Sequence, residues 1–105
     1  RIFVRSRGKI VPVSVEDIVR LEAQDDYVMI HANGRGYLVN VRLKDLVDRL
    51  DPGKFVRIHR SHVVSIAMIK TLEPYDGHRM QVVLSDGTTI VASRSGTRHL
   101  RQLVL

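Results

Sequence analysis

The chain has 105 residues and a mass of 12.0 kDa, room for one domain with a modest core, and its 44% apolar content excludes wholesale disorder. Cysteine is absent, which excludes a disulfide framework, a zinc–thiolate site and a cysteine nucleophile. Seventeen Lys and Arg against eleven Asp and Glu leave a formal charge of +6, which favours a polyanionic partner.

In chain order, Ile2-Phe3-Val4 and Ile10-Val11-Pro12-Val13 read as strands flanking a turn at Ser6-Arg7-Gly8. Val15 to Ala23 alternates imperfectly and becomes a strand at Ile18. Tyr27 to His31 and Tyr37 to Val39 flank Asn33-Gly34, a strong hairpin signal because both residues tolerate positive φ. Leu43, Leu46, Val47 and Leu50 fall at i, i+3, i+4 and i+7, so the spacing predicts a helix from Leu43 to Leu50, ended by Asp51-Pro52-Gly53. Phe55 to Ile66 holds two apolar runs interrupted by His59-Arg60-Ser61-His62. Met80 to Leu84 and Thr88 to Ala92 flank a second hairpin turn at Asp86-Gly87. Thr97 to Val104 reads as a short closing helix with Leu100, Leu103 and Val104 on one side and Ser95 or Thr97 as its cap. The expected class is therefore all-β or β-rich, antiparallel, with one or two short helices.

Two stretches echo one another. Ile18-Val19-Arg20-Leu21-Glu22 corresponds to Ile69-Lys70-Thr71-Leu72-Glu73, with Asp25 and Asp76 at the same distance beyond. Two explanations stand, an internal duplication of a three-strand meander and coincidence among β-prone sequences, the second slightly preferred.

Charge is segregated along the chain. Residues 1–13 carry Arg1, Arg5, Arg7 and Lys9 without an acid, whereas residues 14–26 hold Glu16, Asp17, Glu22, Asp25 and Asp26 against Arg20. Lys54, Arg57, Arg60 and Lys70 in residues 54–72, and Arg94, Arg98 and Arg101 in residues 87–105, are again free of acids. Thirteen arginines against four lysines matter, because the guanidinium fork matches phosphate and guanine geometry.

The interruption at His59-Arg60-Ser61-His62 spoils the alternation of a half-buried strand, so a turn presenting polar donors is expected there. Such a turn offers an Arg fork, a hydroxyl and two imidazoles, a set suited to phosphates and base edges. The competing reading of His59 is a hydrogen-bonded core histidine, and for His59 alone it is the stronger one. Ser93-Arg94-Ser95-Gly96-Thr97-Arg98 opens the closing helix, where free N–H groups and the helix dipole attract anions; the competing reading is plain capping with exposed arginines.

Catalytic readings fare poorly. Adjacent Asp25 and Asp26 diverge on a strand and cannot pair as acid and base. Ser61-His62 lies in no nucleophile-elbow pattern, and the five histidines form no compact metal-ligand motif. No phosphate-binding glycine loop is present. We therefore expect no enzyme activity, no cofactor, no metal and no small-molecule substrate. No apolar run approaches the ~20 residues needed to cross a bilayer, and the start, Arg1-Ile2-Phe3-Val4-Arg5, has no signal-peptide layout and no Met. The expectation is a cytoplasmic domain, residues 1–105, cut from a longer protein.

Taken together, these residues resemble the LytTR family, the DNA-binding output domain of many bacterial response regulators. The likeness is carried by Glu16 to Ala23 followed by Asp26-Tyr27-Val28, by the helix from Leu43, by Phe55-Val56-Arg57-Ile58-His59-Arg60-Ser61-His62-Val63-Val64-Ser65, and by Ile69, Asp86-Gly87 and Ser93-Arg94. The resemblance implies an elongated stack of small antiparallel sheets that reads DNA through loops at strand ends. It implies that the loop at Asp26 and Tyr27 approaches one major groove, that Arg60 takes the central position and that Arg94 or Ser95 reads a second groove. The departures are Ser65, where the family often has Asn, and Arg60, which is Asn in some members; both leave the base preference open.

The expected interface comprises Arg57, Ser61, Ser93 and Arg98 on phosphates, Arg60, Arg94, Tyr27 and Ser95 on bases, and Asp26 and His59 beside them. Expected partners are duplex DNA, a second copy on an adjacent half-site, and an N-terminal receiver or other sensory domain. The alternative is a β-scaffold protein-interaction or sensing module without nucleic acid. An RNA-binding β domain is a lesser alternative, because aromatics for base stacking make up only 5% of the chain.

Overall fold

The computed structural model describes residues 1–105, an elongated body of 46 × 24 × 22 Å. Ten strands form three antiparallel sheets. Strands β1 (Ile2–Ser6) and β2 (Lys9–Val13) make a hairpin. β3 (Ile18–Gln24), β4 (Tyr27–Ala32), β5 (Arg35–Val39), β6 (Phe55–His59) and β7 (His62–Ser65) make the central sheet, in the order β5-β4-β3-β7-β6. β8 (Ile69–Pro74), β9 (Met80–Leu84) and β10 (Thr89–Val91) make a three-stranded meander. Helices α1 (Leu43–Val47) and α2 (Arg94–Arg101) complete the chain.

Both faces of the central sheet are covered, which explains why its strands alternate imperfectly. Ile18, Leu21, Val28, Ile30 and Val63 pack on Val4 and Val13 of the first hairpin and on Leu43, Leu46 and Leu50. Ile58 and Val64 pack instead on Val82, Leu84, Ile90, Ala92 and Leu100 of the meander and α2. Each fully buried Leu or Ile contributes about 1.5–3 kcal/mol. Two small cores in a row, rather than one round one, give the molecule its length.

The turns follow from their residues. Asn33 and Gly34 both take positive φ, 52° and 71°, the backbone that a tight two-residue hairpin needs. Gly87 does the same at 88°. Asp25, at φ 54°, turns β3 into β4; Asp tolerates this region better than most residues.

The helix boundaries depart from the expected ones. α1 is regular only to Val47, with turns carrying the chain on to Leu50; the apolar stripe was read correctly, since Leu43, Leu46 and Leu50 are all buried. α2 begins three residues earlier than Thr97 and is capped by Ser93, whose Oγ accepts the Gly96 N–H at 3.0 Å. Thr97 is fully buried and its Oγ1 accepts the Met80 N–H at 3.0 Å, so it ties α2 to the meander rather than capping it. Leu103 and Val104 lie beyond the helix and are exposed.

The two echoing stretches fold alike. Ser14 and Ser65 each precede a single 3-10 turn, Val15–Asp17 and Ile66–Met68, with matching backbone angles. Each turn leads into a three-strand meander whose first strand shifts register at the same place, between Ile18 and Arg20 and between Ile69 and Thr71. The correspondence therefore extends to backbone detail, against the preference for coincidence.

Candidate nucleic-acid interface

Three chain reversals meet at one end of the central sheet. β3 pairs with β7 so that Glu22 lies opposite His62, and the Ala23 N–H donates to the Ser61 carbonyl at 2.9 Å. The β3–β4 turn at Asp25-Asp26 and the β6–β7 turn at Arg60-Ser61 are thereby neighbours. The Ser93 N–H donates to the Ile58 carbonyl at 2.8 Å, which fixes the start of α2 to the end of β6.

The β6–β7 turn is built by its own polar residues. The Ser61 N–H donates to His59 Nδ1 at 3.1 Å, which requires that nitrogen to be unprotonated. Arg57 Nη2 donates to the Arg60 carbonyl at 2.6 Å. With the backbone braced from both sides, the Arg60 side chain projects into solvent. The helix side is equally constrained: His99 Nδ1–H donates to the Arg57 carbonyl at 3.0 Å. Gly96 is buried so closely against β6 that a Cβ there would overlap the Ile58 carbonyl.

Between turn and helix lies a cleft of about 370 Å³ lined by Arg57, His59, Arg60, Ser93, Ser95, Gly96 and His99, with no hydrophobic residue among them. A second cleft of about 530 Å³ shares His59 and Ser93 and adds Val91, Ala92, Arg94, Asp76 and Arg79. Arg60 and Arg94 therefore border adjoining clefts on one side of the molecule. Free N–H groups and the dipole at the start of α2 add positive potential between them.

Of the expected residues, Arg57, His59, Arg60, Ser61, Ser93, Arg94 and Ser95 come together here, and the exposed Arg98 follows one turn along α2. Arg57, Ser61 and Ser93 are already engaged in the scaffold. Asp26 lies on the neighbouring hairpin tip, in a hollow with Asp25, Asn40, Arg42 and Asp45. Tyr27 lines a separate apolar groove with Phe3, Leu38 and Val41. Gly96, His99 and Arg79 escaped the sequence reading. Only Gly96 carried a local signal, as the small residue inside Ser95-Gly96-Thr97.

Behind the turn, on β3, β4 and β7, sits a titratable cluster. His31 Nε2–H donates to Glu22 Oε1 at 3.1 Å, and Arg20 approaches the same oxygen at 3.5 Å. Burial pushes Glu22 up, but the His31 hydrogen bond and the Arg20 charge outweigh it and hold the carboxyl below its usual range. Burial drives His62 below its ordinary value; Glu22 opposes this, and the nearby His59 and Arg20 reinforce it. His62 Nδ1 is buried without a hydrogen-bond partner.

Comparison with known proteins identifies the family and the fold. Residues 8–105 match the family model described as the LytTr DNA-binding domain. The heme-containing CO-sensing transcriptional regulator RcoM 2 of Paraburkholderia xenovorans is 33% identical over 106 residues, covering 99% of this chain and 39% of the relative. The sensory transduction protein LytT of Bacillus subtilis is 30% identical over 95 residues, covering 90% of this chain and again 39% of the relative. A solved Bacillus cereus structure, described as the LytTr DNA-binding domain of a methyl-accepting/DNA response regulator, superposes with a TM-score of 0.88 at 22% identity. It covers 98% of this chain and 94% of that one, which establishes the shared fold. The chain thus spans about two-fifths of the length of the two relatives, at 39% of each.

Proposed function

The chain belongs to the LytTr DNA-binding domain family, and from that premise we propose that it reads duplex DNA sequence-specifically through the joined turns at one end of its central sheet. The observation that carries this reading is the hydrogen-bonded junction of the β6–β7 turn with the start of α2, which puts Arg60 and Arg94 on adjoining clefts. Arg60 and Arg94, with Ser95, address base edges. Arg98 holds the backbone, and Arg57, Ser61 and Ser93 contribute phosphate contacts from the frame that orients the other two. His59 sets the shape of the central turn. Asp26 and Tyr27 flank the duplex from the neighbouring hairpin, where Asp26 accepts from cytosine N4.

In this reading residues 1–105 are the output domain of a longer, cytoplasmic bacterial transcriptional regulator. A receiver or other sensory domain precedes it, and a second copy occupies an adjacent half-site. No small-molecule substrate, cofactor or metal takes part. A single domain with so few base contacts holds DNA weakly, and pairing on two half-sites supplies the remaining affinity.

The test is selection of bound duplexes from a random pool, followed by titration of the winner, a scrambled duplex and single-stranded RNA at several salt concentrations. Enrichment of a defined site, bound more tightly than the scrambled duplex at every salt, is the expected result. Equal affinity for all three would overturn sequence-specific recognition.

A further inference from the structure

The β8–β9 connection, Tyr75-Asp76-Gly77-His78-Arg79, is organised far more tightly than an exposed turn of its size needs to be. Asp76 Oδ1 accepts from the His78 N–H at 2.9 Å and the Arg79 N–H at 2.8 Å. Its Oδ2 accepts from Arg79 Nε at 2.9 Å and Nη2 at 2.7 Å. The guanidinium carbon stands 5.1 Å from the Tyr75 ring centre, within cation–π range. Asp76 and the Tyr75 ring thus hold from two sides a side chain that still exposes 42% of its surface.

The turn is also anchored to α2. The Met80 N–H, next to Arg79, donates to Thr97 Oγ1 at 3.0 Å, and the Met80 carbonyl accepts the Ala92 N–H at 2.9 Å. Arg79 consequently shares a cleft with Ser93 and Arg94. Asp76 occupies only two of the five guanidinium donors, leaving the Nη1 edge unused.

We propose that the β8–β9 turn is a further contact loop, in which Arg79 binds a phosphate of the duplex beside the one served by the start of α2 and Asp76 is its positioning residue. The proposal rests on the DNA-binding reading above. It makes a prediction that charge counting reverses. If Asp76 were only an acid near the interface, removing its charge would tighten binding to a polyanion. If it positions Arg79, removal loosens binding.

The experiment measures affinity for a duplex selected by the unmodified domain, at several sodium chloride concentrations, with melting temperature recorded for each variant. Arg79→Ala is expected to weaken binding about tenfold, as for loss of one charge-assisted hydrogen bond. It should also reduce the slope of log affinity against log salt by about one. Arg79→Lys keeps the charge, and hence the slope, while losing part of the affinity. Asp76→Asn weakens binding although it removes a negative charge. If Arg79→Ala perturbs folding, Arg79→Gln serves in its place. Unchanged affinity and slope in Arg79→Ala, with Arg60→Ala weakening the same duplex, overturns the proposal and spares the DNA reading. Tighter binding by Asp76→Asn overturns the positioning role. Absence of any duplex binding by the unmodified domain overturns both.

Discussion

Arg60 and Arg98 illustrate two kinds of basic residue on the same end of the molecule. Arg60 sits on a two-residue turn whose backbone is fixed by His59 and Arg57, so the point from which its side chain leaves the sheet is set. Arg60→Ala should cost about 1–3 kcal/mol on the selected site and relax the preference at one base position, read by repeating the selection with the variant. Arg98 is exposed on the helix with no such frame. Arg98→Ala should weaken selected and scrambled duplexes alike and lower the salt slope by about one, as titration of both duplexes will show. Arg57 belongs to both kinds, since its Nη2 also braces the Arg60 carbonyl.

His62 makes a different prediction at the same scale. Its folded-state pKa lies below 6.5 because burial disfavours the cation. As pH falls below about 6.5 the unfolded chain takes up the proton first, so stability present above that pH is lost as pH drops through the folded value. The melting temperature should decline over this window, and His62→Gln should flatten the decline. Asp76 titrates far lower: backbone N–H donation from His78 and the Arg79 guanidinium hold it at about 2, so its clamp persists until strongly acidic pH.

Among the elements, α2 matters most, because it joins the second core to the interface. Leu100 is its buried anchor and Gly96 its point of closest approach to β6. Gly96→Ala forces a Cβ into the Ile58 carbonyl and should destabilise the domain by about 1–3 kcal/mol, as overpacking does. Because Arg94 and Arg98 ride on the same helix, duplex affinity should fall together with melting temperature. Loss of stability with affinity intact would mean that α2 is not the platform. The sequence could not reveal this packing. Helical periodicity over Thr97 to Val104 placed the helix start three residues too late, since Ser93 caps it locally through the Gly96 N–H and is also held by long-range bonds to the Ile58 carbonyl that no local pattern shows.

Across the whole molecule, what was legible in the chain was what local rules govern. Asn33-Gly34 and Asp86-Gly87 set their hairpins, and the polar break at His59 to His62 marked a turn, because φ preferences and period-two burial act over a few residues. The stack of sheets came from the family resemblance, whose residues run in order along the chain. Arg79 stayed hidden because its stretch, with Glu73, Asp76 and Asp86, reads as acidic in sequence. The resemblance put Tyr27 in the first contact loop with Asp26, and its packing beside Phe3 and Leu38 could not be read from the chain. Strand order decides such matters, and strand order is a property of distant pairings.

The central claim is that duplex DNA lies across the turn at Arg60 and the start of α2, and not along the equally basic β1–β2 hairpin with Arg5, Arg7 and Lys9. Amide chemical-shift mapping on addition of the selected duplex tests it most directly. The account predicts the largest changes at Arg57 to Ser61 and Ser93 to Arg98, with the hairpin tip undisturbed. Changes concentrated at Arg5 to Lys9, with Arg60 and Arg94 unmoved, would contradict it.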